Sequence, residues 1–139
     1  MFRLAMPEEP AWLDLPLGVR VKVRPLTTAL QQAASAAARR EIERLEAAHR
    51  DIVAAGGTVT DLPPIDDPAM REGLAVAALA RAYARLCILQ WEGVAEADGS
   101  PAPLTSANAA RLAEHHAIAV ALIDGLTRPL EELAREGNG

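Results

Sequence analysis

Glu46 and His49 are the first residues whose spacing suggests chemistry. Three apart on a helix, a carboxylate and an imidazole project from one face, the ExxH arrangement with which carboxylate-bridged di-metal bundles hold their ions. Such a site takes a second ExxH and two further inward glutamates, and no second ExxH occurs in the 139 residues. The pair therefore reads as a surface-edge histidine beside an ordinary helix charge. Glu114-His115-His116 offers a second trio. Helical neighbours point about 100° apart, so adjacent imidazoles rarely grip one ion, and a polar helix junction accounts for the cluster. Glu96, Asp98 and Gly99 stand in calcium-loop order within 94–105. Val94, however, holds the first ligand position, and Thr105 stands where a bidentate glutamate is needed. Cys87 lies in the densest apolar stretch, where a thiol resists ionisation and serves as a small core residue. Ser35, Ser100 and Ser106 lack evident His and Asp partners, and there is no glycine-rich phosphate loop, GxSxG or HExxH. The expectation is a protein that is not an enzyme, carries no metal or cofactor, and acts by contact with other polypeptides.

The elements that would position these residues are mostly helical. Half of the chain is hydrophobic but only 3% is aromatic, and much of the apolar content is alanine, which favours helices in close approach through small side chains. The length suits one domain with a core of its own. The formal net charge of −5 argues against a general nucleic-acid binder. A single cysteine rules out an intramolecular disulfide and a cysteine-built zinc site within one chain. The segment MFRLAMPEEP lacks the apolar core of a signal peptide. Arg81 and Arg85 interrupt the most apolar run, Leu74 to Trp91, so that run reads as a core helix and not a membrane span.

Residues 1–10 read as a flexible lead, 11–135 as one helical domain with an N-terminal β element at about 12–24, and 136–139 as a soluble tail. Trp12-Leu13-Asp14-Leu15 suggests a short strand and Pro16-Leu17-Gly18 a turn. Val19-Arg20-Val21-Lys22-Val23-Arg24 alternates valine with a cation, the clearest period-two signal in the chain. This strand could be a sheet edge kept soluble by its cations or a template to which another subunit adds a strand. Thr28 with Gln31 forms a capping box for a first helix. Its inner face runs Leu30, Ala34, Ala38, Ile42, Leu45, Ile52, and its surface carries the i,i+4 pairs Arg39–Glu43 and Glu46–Arg50. Gly56-Gly57 stops it. Asp67-Pro68 restarts the chain as a second helix, predicted to reach Trp91, apolar over most of its girth and central. Asp98-Gly99 marks a tight turn, and Thr105 or Ser106 caps a third helix that breaks near Glu114-His115-His116. A last helix continues to Ala134, kinked near Gly125 and Pro129. The fold class expected is mainly α: a bundle of three to four helices with a short N-terminal β-hairpin or strand.

Trp91 reads first as a cap on the core, its indole N–H reaching a loop carbonyl, with a partner anchor as the alternative. Around it a pattern emerges. The strand ends in Arg24-Pro25-Leu26-Thr27, an apolar helix follows, and then come Trp91, Glu92, Gly93, Val94, Asp98, Gly99, Pro101, Thr105 and Asn108. This arrangement, with the terminal Glu136-Gly137-Asn138, resembles the small tail assembly chaperones of long-tailed bacteriophages, prophages and phage-like gene transfer agents. It departs from them in Ala107, Ala109 and Ala110, where that family often has acidic residues, and in the Glu114-His115-His116-Ala117 junction. The resemblance implies a phage-type tail assembly protein in the cytoplasm of a bacterial host. It would bind the tape-measure protein, the major tail protein or both, with self-association open and no nucleic-acid or membrane partner. Val19, Val21, Val23, Arg24 and the Trp91-to-Asn108 set are the candidate partner-binding or motif residues. The alternative is a structural tail adaptor or completion protein retained in the particle. A metal enzyme using Glu46, His49 and the His115-His116 pair, and a transcriptional or toxin-neutralising regulator, are weaker rivals. The acidic balance and the lack of a helix-turn-helix signal weigh against the regulator.

Overall fold

The alternating stretch forms a strand in the structure, a computed structural model that describes Met1, Leu4 and residues 9–138, with side chains through residue 129. Most of the lead expected over residues 1–10, and Gly139, lie outside the described residues. The order is β1 (Ala11–Asp14), a 3-10 turn (Pro16–Gly18), β2 (Arg20–Val23), α1 (Thr28–Ala54), α2 (Pro68–Cys87), β3 (Ile88–Glu92), α3 (Ser106–Leu112) and α4 (His116–Asn138). The fold is thus mainly α with an N-terminal antiparallel hairpin, as the sequence pattern predicts. α4 runs on through the residues read as a tail, up to Asn138.

β1 and β2 pair from Ala11↔Val23 to Asp14↔Arg20. Their turn puts Leu17 (φ 63) and Gly18 (φ 75) in the left-handed region and is closed by the Leu15 amide donating to the Val19 carbonyl at 2.8 Å. The main departure from the sequence reading comes next. The helix predicted to reach Trp91 ends at Cys87, and Ile88 turns extended (φ −77, ψ 121). Residues 88–92 then form β3 on the free side of β2, from Val23↔Ile88 to Arg20↔Glu92. Leu89 is the extra residue of a bulge between Lys22 and Val23. Ile and Trp suit a pleated surface, and β2 offers backbone groups that a helix continuing past it would leave unpaired. The strand order is β1-β2-β3. β2 is therefore central, and neither an exposed edge nor a template for another subunit.

The valines point inward and are 6%, 0% and 5% exposed at 19, 21 and 23. They join Ala80, Ala82, Cys87, Ile118, Leu122 and Leu126 in one core. α2 touches α1, α3, α4 and β3, the central place expected of a helix apolar over most of its surface. Its alanines, 0–1% exposed at 78, 80, 82 and 84, let neighbours approach closely. Gly125 does the same for α4, since a Cβ there would lie 2.7 Å from Leu13 Cδ1.

Local signals set most helix ends. Thr27, one residue before the expected cap, accepts from the Leu30 amide at 3.2 Å, and Asp67 accepts from Ala69 at 3.2 Å. α1 closes with the Gly57 amide on the Ile52 carbonyl at 2.9 Å. Charges reach across helices where pairing along α1 was expected. Glu46 pairs with Arg71 and not with Arg50. Arg81, 17% exposed, joins Glu41 of α1 to Glu114 after α3, the latter at 2.8 Å. Burial alone would lower the Arg81 pKa, but the hydrogen bonds and charges of Glu114 and Glu41 outweigh it, so the net shift is upward and the guanidinium stays charged.

Burial pushes the Cys87 thiol up to about 11, with a small opposing pull from Arg24. The neutral thiol is the form the folded core prefers, so its stabilisation is complete below the ordinary thiol range and is lost as pH rises towards 11. Stability is therefore expected to hold level up to about pH 9 and to fall by roughly 2–3 kcal/mol by pH 11. Urea unfolding across that range should show the fall, and Cys87→Ala should make it shallower, the Tyr83 phenol, also pushed up by burial, keeping the remainder. An unchanged slope in that variant would remove the thiol as the cause.

Candidate functional site

The Trp91-to-Asn108 segment is built by residues bonding to their own connector. Trp91 sits in β3 opposite Val21, half-buried against the core, and its indole Nε1–H donates to the Ala102 carbonyl at 2.9 Å. Gly93 (φ 79) lies against the β1–β2 turn: a Cβ there would be 2.2 Å from the Gly18 carbonyl oxygen. Val94 and Ala102 hold the neck of a small hairpin, with the Ala102 amide on the Val94 carbonyl at 2.9 Å and an Ala95↔Pro101 bridge. At its tip the Asp98 carboxylate accepts from the Ser100 hydroxyl at 2.6 Å and the Ser100 amide at 2.9 Å. Those bonds, the hydroxyl first, lower its pKa. Gly99 (φ 88) completes the turn.

Thr105 caps α3 by accepting from the Asn108 amide at 3.1 Å. Asn108 locks the entry, its Nδ2–H donating to the Pro103 carbonyl at 2.9 Å while its Oδ1 accepts from Arg111 at 3.1 Å. Arg111 stands 3.8 Å from Glu96 of the hairpin. Hairpin and α3 thus flank an open groove of about 480 Å³ with Val94, Ala102 and Leu112 among its apolar walls and Glu96, Glu114 and His115 among its polar ones.

Of the residues singled out from the sequence, Trp91, Glu92, Gly93, Val94, Asp98, Gly99, Thr105 and Asn108 all fall within this segment. Val19, Val21 and Val23 lie beneath the sheet, buried. Glu92 lies on the sheet's other side, bound to Arg20 at 3.3 Å, and Arg24 follows β2, exposed, its amide donating to the Cys87 carbonyl at 3.0 Å. Of the Glu46/His49 pair, the histidine is not a surface-edge residue, while Glu46 stays partly exposed. His49 is 7% exposed, with Nε2 2.8 Å from the Pro63 carbonyl, so it ties the 55–67 loop to α1. Among the described residues, no three His, Cys, Asp or Glu side chains converge as a metal site. The pattern did not point to the long groove between α1 and α2. It has two lobes of about 720 and 610 Å³ that share Glu46 and Arg71, with Val53, Ile65, Ile42 and Leu79 in their apolar lining, and Val53 is 64% exposed. Its lining is drawn from α1, α2 and the loop between them, and no local motif marks it.

Trp91→Phe tests the connector directly. Keeping the ring and removing the N–H leaves the Ala102 carbonyl without this donor, and a stability loss of about 1–2 kcal/mol is expected. A loss below about 0.3 kcal/mol in urea unfolding would show that the indole bond is incidental.

The model of the YdaY prophage protein family matches residues 27–128, from the cap of α1 into α4 and through the whole connector. The chain belongs to the YdaY prophage protein family. No curated protein and no solved structure matches it at a significant level. As a YdaY-family protein it is phage-type, and the family match takes in β3 while β1 and β2 lie before it. Among its described residues, no helix is long and apolar enough to cross a membrane.

Proposed function

We propose that this YdaY-family protein is a non-catalytic tail assembly chaperone that binds the tape-measure protein, the major tail protein or both while tails are built in the host cytoplasm. The observation that carries this reading is the α1–α2 groove, with Val53, Ile65, Ile42, Ala75 and Leu79 in its lining and Val53 exposed. Such a groove suits the apolar stripe of an amphipathic helix presented at i, i+3, i+4 and i+7. Membership in a prophage family and the likeness of the Trp91-to-Asn108 pattern to tail assembly chaperones support the same reading. So does the role of the pattern's side chains as fasteners of the connector. A net charge of −5 helps a holding protein stay dispersed while apolar surface is exposed.

The test is co-expression with the tape-measure and major tail proteins of the same prophage. Co-purification with either, weakened by Val53→Asp and Ala75→Asp in the groove lining, is the expected result. Failure to co-purify with both, together with normal tails after deletion, would overturn the proposal. Fixed-stoichiometry retention in purified particles would favour a structural adaptor instead.

A further inference from the structure

Helices cover the valine face of the sheet. The other face carries Trp12, Arg20, Lys22, Gln90 and Glu92, all exposed or half-exposed. Along β2 and the residue that follows it, the cations Arg20, Lys22 and Arg24 recur every second residue, about 7 Å apart in extended chain. Arg20 is fully engaged: it binds Asp14 at 2.8 Å and Glu92 at 3.3 Å and lies 5.0 Å from the centre of the Trp12 ring. Lys22 is flanked in register by the neutral Trp12 and Gln90. Arg24 lies just beyond the paired residues. Neither makes an ion pair among the described residues. The α1 arginines differ, being interleaved with Glu41, Glu43, Glu46 and Asp51, whereas residues 15–38 hold three cations and no acid.

We propose that this sheet face docks an acidic segment of another protein, with carboxylates on Lys22 and Arg24 and an apolar side chain against Trp12. Alternate residues of an extended peptide are spaced like these cations. Charge separates a peptide from a nucleic acid. Two free cations neutralise about two phosphates, too few for useful affinity at physiological salt, and a net charge of −5 opposes a long polyanion. A short acidic segment feels mainly the charges within a Debye length of about 8 Å.

The probe is a short fluorescein-labelled peptide with glutamate at alternate positions around a central leucine, read by anisotropy with the full chain. A glutamine-for-glutamate peptide and labelled oligo-dT serve as controls. Saturable binding of the acidic peptide, weakened by salt, is expected. The double variant Lys22→Gln, Arg24→Gln should bind about tenfold more weakly, as two charge contacts at the upper end of their usual worth imply. Equal binding of the glutamine peptide, undiminished binding by the double variant, or tighter binding of oligo-dT would overturn the proposal. So would self-association of the wild-type chain that the double variant abolishes, since a second copy would then be the occupant. If the double variant does not fold, amide shifts of the wild-type chain decide: changes confined to β1, β2 and β3 support the site, and changes elsewhere sink it. The readout does not depend on tail assembly, so it stands or falls apart from the chaperone reading.

Discussion

Gly93→Ala is expected to destabilise the protein by about 3 kcal/mol or more. Two effects add. At φ 79 an L side chain pays the left-handed penalty of about 1–2 kcal/mol. The new Cβ would also lie 2.2 Å from the Gly18 carbonyl oxygen, which cannot simply swing away. Gly18 belongs to a turn with two successive left-handed residues, closed by the Leu15–Val19 hydrogen bond. Gly99→Ala is the control, because its φ is 88 but nothing lies within 4 Å of its Cβ position. That variant should lose only the backbone term, about 1 kcal/mol. Urea midpoints at unchanged slope would measure both, and equal losses would show that the approach of Gly93 to the turn contributes nothing.

Val21→Asp should abolish cooperative folding. Val21 is 0% exposed at the centre of the middle strand, with Leu13 and Trp91 in register on either side, and among the described residues the only buried polar or charged one is His49 on α1. Burying an unpaired carboxylate there costs on the order of 4 kcal/mol or more, against a total stability of about 5–15 kcal/mol for a domain. One residue along, Lys22→Gln changes the opposite face and should shift stability by no more than about 0.5 kcal/mol. Circular dichroism during urea titration distinguishes the two. A two-state Val21→Asp with a near-normal midpoint would contradict the sheet register.

Features encoded locally were legible in the sequence. The hairpin followed from valine-cation alternation and a Pro-Leu-Gly turn, and the cap of α2 from Asp67-Pro68. The break before α4 followed from the Glu114-His115-His116 junction, and the Trp91 indole bond to a loop carbonyl was anticipated in kind. Features decided by distant chain were not legible. Ile88 to Glu92 continues the helical wheel of α2 without a fault, and only the open side of β2 makes it a strand. His49 looked like an edge residue because the loop carbonyl that it meets, Pro63, follows an irregular path. Arg81 showed in the sequence only as an interruption of an apolar run, since neither Glu41 nor Glu114 is close to it in sequence. The connector's residues were picked out, but the α1–α2 groove was not, because a groove depends on how two helices lie and not on a motif in either.

The placement of β3 has a consequence for how the chain emerges from a ribosome. The hairpin of β1 and β2 is made first, yet its remaining strand comes from residues near Glu92, which lies 72 positions after its mate Arg20. Until α2 and α4 have both been synthesised, the valine side of the hairpin lacks the core residues that cover it, and a two-stranded ribbon on its own is marginal in water. Closure of the sheet is therefore a late, long-range step, and a nascent chain stalled before Ile88 would present an unfinished, sticky ribbon to whatever holdase waits at the exit tunnel.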